Sequence, residues 1–137
     1  MVKKVRYRNQ ERLEIFNKIW DSMKKLDCPV IVEGKRDTMA LRNLGYNGRL
    51  IELNDGNSIL STVEKLVRNF GNGSKFVILM DWDRTGEILT KRLKRYGESC
   101  DLIPNVRIRR DLSALCSKEI TCIEELPTFV NLLNIPF

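Results

Sequence analysis

Histidine is absent from all 137 residues of the sequence. This absence excludes Ser-His-Asp and Cys-His catalysis, histidine zinc ligands and histidine general bases. Any acid–base or metal chemistry must therefore come from carboxylates, thiols, lysines or tyrosines. The four cysteines form no CxxC pair, which argues against a zinc site and indicates small buried thiols in a reducing compartment.

Long apolar runs, internal repeats and low-complexity tracts are also missing. Because no stretch of about 18 apolar residues is present, we expect no membrane span and no membrane partner. Residues 1–6 are basic and lack the apolar core of a secretory signal, so we expect a cytoplasmic protein. Apolar residues still make up 42% of the chain, which is sufficient for the core of one domain.

Positive charge is in excess, with a formal net charge of +6. Residues 1–10 carry four positive charges and no negative one. A second basic group, within residues 91–95, lies close in sequence to a small acidic group. A basic surface around a few carboxylates suits a polyanionic ligand such as nucleic acid.

Short apolar runs alternate with amphipathic segments along the chain. Strands are predicted near residues 30–32, 49–53, 76–80 and 100–103. Helices are predicted near residues 10–26, 38–44, 58–70, 85–96 and 106–116. Asp55 lies in a predicted turn, and the spacing of Thr121 and Glu124 predicts a capping box that opens a last helix, broken or restarted at Pro127.

This alternation predicts an α/β fold in which a parallel sheet of about four strands has helices on both faces, a compact Rossmann-like arrangement. We expect three parts within one domain. Residues 1–27 form a basic arm and an amphipathic helix, residues 28–103 form the core, and residues 104–137 form a helical extension packed on the same domain.

Acidic residues directly follow two of the predicted strands. Glu33 comes after Val30-Ile31-Val32, and Asp81 and Asp83 come after the strand at residues 76–80. Ligand sites of such sheets lie at the carboxyl ends of the strands. Mg²⁺ is held by one or two carboxylates together with substrate phosphates and water, so the pattern predicts a Mg²⁺ site, with Mn²⁺ as a possible substitute. The simpler interpretation is that Asp83 caps the following helix.

The segments Val32-Glu33-Gly34-Lys35-Arg36-Asp37 and Asp81-Trp82-Asp83-Arg84-Thr85-Gly86-Glu87 together resemble the two motifs of the Toprim domain. This domain occurs in bacterial-type primases, type IA and type II topoisomerases, OLD-family nucleases, RecR recombination proteins and ribosomal-RNA maturation nucleases. The resemblance covers residues 28–103 and is greatest to the small stand-alone proteins of archaeal type. It implies a Toprim fold.

The resemblance also implies roles for individual residues. Glu33 corresponds to the family glutamate that acts as general acid or base, and in some nucleases contacts the metal. Asp81 and Asp83 correspond to the pair that holds Mg²⁺. Gly34 corresponds to the glycine that lets the backbone turn after the glutamate. Glu87 follows the glycine of the second motif, and a plain helix-face acid is an adequate alternative for it.

Two differences from other Toprim proteins limit the activities that the resemblance predicts. Many type IA topoisomerases carry a third acid where this chain has Thr85, which indicates weaker metal binding or a single ion. Tyr7, Tyr46 and Tyr96 lack the domain context of a nucleophilic tyrosine, and Tyr46 and Tyr96 fit packing roles. Topoisomerase activity by this chain alone is therefore not expected, and neither is primase activity.

Basic residues flank the acids and lie on the next predicted helix. Lys35, Arg36 and Arg84 are candidates for phosphate contacts. Lys91, Lys94 and Arg95 are candidates for sequence-independent contacts with a nucleic-acid backbone, although solvated exposed positions explain them as well.

Three functional hypotheses follow. The first is a Mg²⁺-dependent nuclease or nucleotidyl-transfer enzyme acting on RNA or DNA. The second is a non-catalytic metal- and nucleic-acid-binding subunit of a larger processing assembly. The third treats Asp81 and Asp83 as the nucleophile and general acid of a haloacid-dehalogenase-like phosphatase, but this leaves Glu33 without a role.

Overall fold

The sheet has four strands, all parallel, in the order β2-β1-β3-β4. The computed structural model describes the backbone of residues 2–54 and 58–134, and the side chains of residues 8–54 and 58–134. The strands are β1 (Val30–Val32), β2 (Leu50–Glu52), β3 (Lys75–Ile78) and β4 (Ile103–Asn105). The predicted parallel α/β sheet is thereby confirmed.

Six α-helices and one 3₁₀ turn surround the sheet within the described ranges. They are α1 (Val2–Leu26), α2 (Lys35–Asn43), α3 (Ile59–Phe70), α4 (Arg84–Ser99), α5 (Arg107–Cys116), the 3₁₀ turn (Ile123–Glu125) and α6 (Leu126–Leu133). The predicted turn at Asp55 and the side chain of Tyr7 lie outside the described residues. No helix in the described ranges is both long and apolar enough to span a bilayer.

Side chains of β1 and β3 alternate between two hydrophobic cores, as the two-residue repeat of a strand requires. Val30, Val32 and Val77 face the core built with α1, α2, α5 and α6. Ile31 and Ile78 face the core built with α3 and α4. Helices therefore cover both faces of the sheet, and the two central strands are buried on both sides, as their continuous apolar sequence predicts.

The N-terminal part differs from the prediction at its start. Helix α1 begins at Val2 rather than near residue 10, so the basic arm is the first part of the helix. No proline or glycine interrupts residues 2–26, and lysine, arginine and glutamine are good helix formers. On the buried face of α1, Phe16 stacks on Trp20, and the Trp20 ring meets the buried Tyr46 edge-on. Tyr46 is thus a packing residue, as predicted.

Strand β4 begins later than predicted, at Ile103 instead of near residue 100. Helix α4 continues to Ser99, and Asp101 then adopts a left-handed backbone with φ of 60°, which moves the start of the strand. Pro104 lies within β4, where it is tolerated because β4 is an edge strand.

The predicted capping box at Thr121 and Glu124 is wrong. Cys122 precedes the 3₁₀ turn and makes no side-chain cap, and the Thr121 carbonyl instead accepts a hydrogen bond from the Trp82 amide. The prediction that the helix restarts at Pro127 is confirmed, because Pro127 lies in the first turn of α6, where its missing N–H costs nothing.

The connection between β3 and α4 depends on a close backbone approach at Gly86. A Cβ atom added there would lie 1.7 Å from the Asp81 carbonyl oxygen and 2.6 Å from its carbon. Gly34 has no such constraint: its backbone is extended, and an added Cβ would meet only the Asn54 side chain, at 3.6 Å. The expectation that Gly34 is needed for the turn is therefore wrong, and Gly86 has that role at the neighbouring strand end.

We predict that Gly86→Ala lowers the free energy of unfolding by about 3 kcal/mol, because the new methyl group must displace the backbone at Asp81. The matched variant Gly34→Ala, at a helix N-cap, should cost less than about 1 kcal/mol. Urea denaturation followed by circular dichroism measures both. Equal stabilities of the two variants would contradict the prediction.

Candidate metal centre and its surroundings

The site lies where the strand order reverses. The chain passes from β1 outward to β2 and then returns across β1 to β3, so β1 and β3 flank the switch point of the sheet. Ligands of open α/β sheets bind at such a point, outside the carboxyl ends of the strands. Glu33 directly follows β1, and Asp81 follows β3 after a gap of two residues. The two predicted site residues thus lie at the same edge of the sheet.

Three carboxylates converge at this edge. Oxygens of Glu33, Asp37 and Asp81 all lie within 4.8 Å of one another. Asp37 is only 7% exposed, and Glu33 and Asp81 are half-buried. Among the described residues, no lysine or arginine forms an ion pair with any of the three. No ion pair among the described residues therefore offsets their mutual repulsion, although the charge of Arg109 partly opposes the raised pKa of Asp81.

Asp37 was not among the predicted site residues. It lies in the first turn of α2, four residues after Glu33, and its carboxylate accepts a hydrogen bond from the Gly34 amide at 3.2 Å. Because α2 begins directly after Glu33 and Gly34, this turn brings the residue four positions later back towards the strand end. An acid at position i+4 after a strand-end glutamate was the signal available in the sequence.

Asp83 has a different position from the one implied by the resemblance. It is exposed, and its Oδ1 accepts a hydrogen bond from the Gly86 amide at 2.7 Å, so it is the N-cap of α4. The simpler interpretation of Asp83 thus describes this structure. Its charge still acts on the cluster, because it contributes to a raised pKa at both Glu33 and Asp81.

Asp81 is fixed through both its carbonyl and its carboxylate. The guanidinium of Arg109 donates to the carbonyl oxygens of Met80, at 3.1 Å, and of Asp81, at 2.9 Å. It also pairs with Glu87 at 2.8 Å, which gives Glu87 a partner that the sequence did not indicate. The Oδ1 of Asp81 accepts a hydrogen bond from the Ile123 amide at 2.9 Å.

The pKa of each clustered carboxyl lies above its ordinary value. Burial is the largest cause for Glu33, and the charges of Asp81, Asp37 and Asp83 raise its pKa further. Burial also raises the pKa of Asp37 and of Asp81, and in each case a backbone N–H donor, from Gly34 or Ile123, partly opposes the rise. All three groups thus hold protons more readily in the folded chain than in the unfolded one.

The donor set fits a hard divalent cation. Carboxylate oxygens are the ligands that Mg²⁺ and Mn²⁺ prefer, and a bound cation would relieve the repulsion that adds to the effect of burial on these pKa values. The N-termini of α2 and α4 lie beside the cluster, since Gly34 and Asp83 are their N-caps. The dipoles of these two helices favour anionic groups such as phosphate at the same edge.

The predicted basic contacts fall into two groups. Lys35, Arg36 and Arg84 lie in the first turns of α2 and α4, beside the carboxylates, and Arg36 lies 3.9 Å from Glu124.

Lys94 lies eleven residues beyond Asp83 in α4, or about 16 Å along the helix axis. It lines a surface depression of about 600 Å³ with its neighbours Lys91, Arg95, Glu98 and Ser99. The structure does not bring this second group to the carboxylates.

All four cysteines are free thiols. Cys116 is buried, and burial raises the pKa of its thiol to about 12. Burial, with the Glu125 side chain as hydrogen-bond partner, raises the pKa of Cys122 to about 12 as well. These two groups are therefore protonated at neutral pH. The expectation of buried thiols holds for Cys116, whereas Cys28, Cys100 and Cys122 are half-buried.

We predict that, without divalent cation, the free energy of unfolding contributed by the cluster rises as the pH falls from 7 towards 4.5, the ordinary pKa of glutamate. Groups with a raised pKa take up protons first in the folded chain, so this stability is present at low pH and lost as the pH rises. Glu33→Gln should stabilise the chain at pH 7 and reduce this pH dependence. Urea titrations in the presence of a chelator measure both effects.

The matched control is Glu64→Gln, which removes the same charge from an exposed position on α3. It should leave the pH dependence of unfolding unchanged. If Glu33→Gln and Glu64→Gln give the same pH profile, the repulsion assigned to the cluster is absent.

Comparisons with known proteins give relatives in archaea. The chain is 42% identical over 106 residues to a UPF0292 protein of Methanosarcina barkeri, covering 77% of this chain and 71% of that protein. It is 34% identical over 124 residues to a UPF0292 protein of Methanosarcina acetivorans, covering 90% and 83%. A UPF0292 protein of Thermococcus onnurineus is 34% identical over 116 residues, covering 85% and 84%.

A solved structure of a protein from Aquifex aeolicus has the same fold, with a TM-score of 0.66 and 23% sequence identity over 80% of this chain and 95% of that one. No family model matches the sequence. The identities and coverage of the archaeal relatives are sufficient to assign the family. The chain belongs to the UPF0292 family.

Proposed function

We propose that the chain catalyses Mg²⁺-dependent phosphodiester chemistry on nucleic acid, as a nuclease or nucleotidyl transferase of the stand-alone Toprim type. One observation carries the proposal. Glu33 and Asp81, which match the two motifs of that domain, meet a third carboxylate at the switch point of the sheet. The four free thiols are consistent with a cytoplasmic site of action.

Glu33 is the proposed general acid or base. Burial and the neighbouring charges raise its pKa, which brings a carboxyl group closer to the pH at which it can both take up and release a proton. Within the described residues its carboxylate receives no hydrogen bond, whereas Asp37 and Asp81 each accept one from a backbone amide. This difference favours Glu33 as the group that exchanges protons and the two aspartates as fixed anions.

Asp81 and Asp37 are the proposed cation ligands, together with Glu33. A bound cation would neutralise part of the negative charge of the phosphate group. Asp83, the second aspartate implied by the resemblance, caps α4 through Oδ1 and lies outside the cluster of three carboxylates. Lys35, Arg36 and Arg84, with the N-termini of α2 and α4, would orient the phosphate backbone beside the carboxylates.

The second candidate function is that of a non-catalytic metal- and nucleic-acid-binding subunit of a larger assembly. The separation of Lys91, Lys94 and Arg95 from the carboxylates favours this alternative, because a basic surface remote from the cluster contributes binding without chemistry. Both candidates predict nucleic-acid binding, and they differ in turnover.

We predict that Mg²⁺ or Mn²⁺ binds at the cluster and that Asp81→Asn weakens this binding by at least about tenfold, or ~1.4 kcal/mol. Asp37→Asn should weaken it more than Asp83→Asn, because Asp37 is in the cluster and Asp83 caps α4. Isothermal titration calorimetry measures the affinities, with Glu64→Gln as the control. Equal affinity in wild type and the double variant Asp81→Asn, Asp83→Asn would remove the proposal.

We predict that binding and turnover separate. Replacing Lys91, Lys94 and Arg95 by alanine should weaken nucleic-acid binding. It should also reduce the slope of log affinity against log salt by about 0.7–0.9 for each phosphate that the variant no longer neutralises. The triple alanine variant of Lys18, Lys24 and Lys25 removes equal charge from α1 and is the control. Fluorescence anisotropy at several salt concentrations measures both.

Glu33→Gln should leave that binding intact and abolish cleavage, because an amide cannot exchange a proton. Nuclease assays with Mg²⁺ and Mn²⁺ on single- and double-stranded RNA and DNA measure turnover. Cleavage that survives in Glu33→Gln would indicate a contaminating nuclease. Metal and nucleic-acid binding without cleavage of any substrate would favour the second candidate function.

A further inference from the structure

We propose that Arg109 and the segment at residues 120–123 act together as a positioning unit that sets the orientation of Asp81. This inference rests on the proposed function, since it explains how the same site is held in order. It adds residues from outside the two sequence motifs, more than 20 residues beyond Asp83. The argument depends on which atoms of Asp81 and Trp82 these residues bind.

Arg109 is a buried cation that binds backbone rather than carboxylate oxygens of the strand end. The residue is 8% exposed, and its side-chain hydrogen bonds go to the Met80 carbonyl, the Asp81 carbonyl and Glu87. Strand β3 ends at Ile78, and the last amide bonded across to β1 is that of Leu79. The guanidinium therefore holds the backbone at Met80 and Asp81, which lie beyond the last hydrogen bond of the sheet.

Residues 120–123 fix the same turn from the other side. The Ile120 carbonyl accepts from the Trp82 indole at 2.7 Å, and the Thr121 carbonyl accepts from the Trp82 amide at 3.0 Å. The Ile123 amide then donates to Oδ1 of Asp81. The side chains of Ile120 and Ile123 are buried in the core beneath, so the segment is anchored independently of these bonds.

Together these contacts leave Asp81 little rotational freedom. Its carbonyl is held by Arg109, the next residue is held at its amide and ring, and one carboxylate oxygen is held by Ile123. The other oxygen remains for a ligand. Groups that orient a metal ligand commonly change its affinity 10- to 100-fold. Cation binding at Asp81 and docking of the segment at residues 120–123 are then coupled, so that each favours the other.

Ile123→Pro and Ile123→Ala test the Ile123 amide by comparison. Both remove the buried side chain, but only proline removes the N–H donor. Proline fits this position because Cys122 is extended, with φ of −138° and ψ of 154°, and residue 123 opens the 3₁₀ turn. Each variant is titrated with Mn²⁺, and the ¹³C resonance of the Asp81 carboxyl group is recorded in cation-free protein.

Ile123→Ala should bind Mn²⁺ within about threefold of wild type in spite of lower thermal stability, and Ile123→Pro should bind at least tenfold more weakly. The Asp81 carboxyl resonance should move in Ile123→Pro and stay in place in Ile123→Ala. A purely structural role of residue 123 predicts the same resonance in both. Equal Mn²⁺ affinities in the two folded variants, or equal Asp81 resonances, would overturn the proposal.

Arg109→Lys and Glu87→Gln test the other half of the unit. Lysine keeps the charge but cannot reach two carbonyls with a planar fork, so Arg109→Lys should also lower Mn²⁺ affinity and move the Asp81 resonance. Glu87→Gln keeps an acceptor for Arg109 and should do neither. If wild type binds no Mn²⁺, the proposed function fails, and the resonance comparisons in cation-free protein still decide the positioning role.

Discussion

Mutual repulsion among Glu33, Asp37 and Asp81 is the constraint around which this edge of the fold is built. Their oxygens lie within 4.8 Å of one another, and burial raises the pKa of each carboxyl group. Such an arrangement costs stability unless protons or cations are present. The chain keeps it because the backbone, rather than the side chains, determines where the carboxylates lie.

Two features of the backbone bring the three carboxylates together. Parallel neighbours β1 and β3 end at the same edge, so the residues that follow them must be close. Helix α2 then begins immediately, and its first turn adds Asp37 to the same crevice. After β3 the turn is sharper, because α4 approaches the backbone of Asp81 so closely that only glycine fits at position 86. The repulsion is thus a consequence of topology and of one close contact, both supported by burial in two cores.

How much of this the sequence predicts depends on how local each signal is. The apolar runs at β1 and β3 and their trailing acids are local, so the sheet, its parallel direction and the meeting of Glu33 with Asp81 could be predicted. The hydrogen bonds of Arg109 and of residues 120–123 join parts of the chain 22 to 42 residues apart. Neither the hydrophobic periodicity nor the motif spacing of the sequence indicates such contacts. The capping-box pattern at Thr121 failed because the 3₁₀ turn begins at Ile123, with Cys122 rather than Thr121 at its N-cap.

The separation between the carboxylates and Lys94 bears on what kind of ligand could use both. About 16 Å of helix axis corresponds to roughly five nucleotides at the 3.4 Å charge spacing of one strand in a duplex. A mononucleotide or a small phosphate ester at the cluster would not reach the depression lined by Lys91 and Arg95. The phosphatase hypothesis therefore leaves this basic surface unused, and it also gives no role to Glu33. A polymer whose backbone runs from the switch point along α4 uses both sets of residues, and this is the reason for preferring nucleic acid.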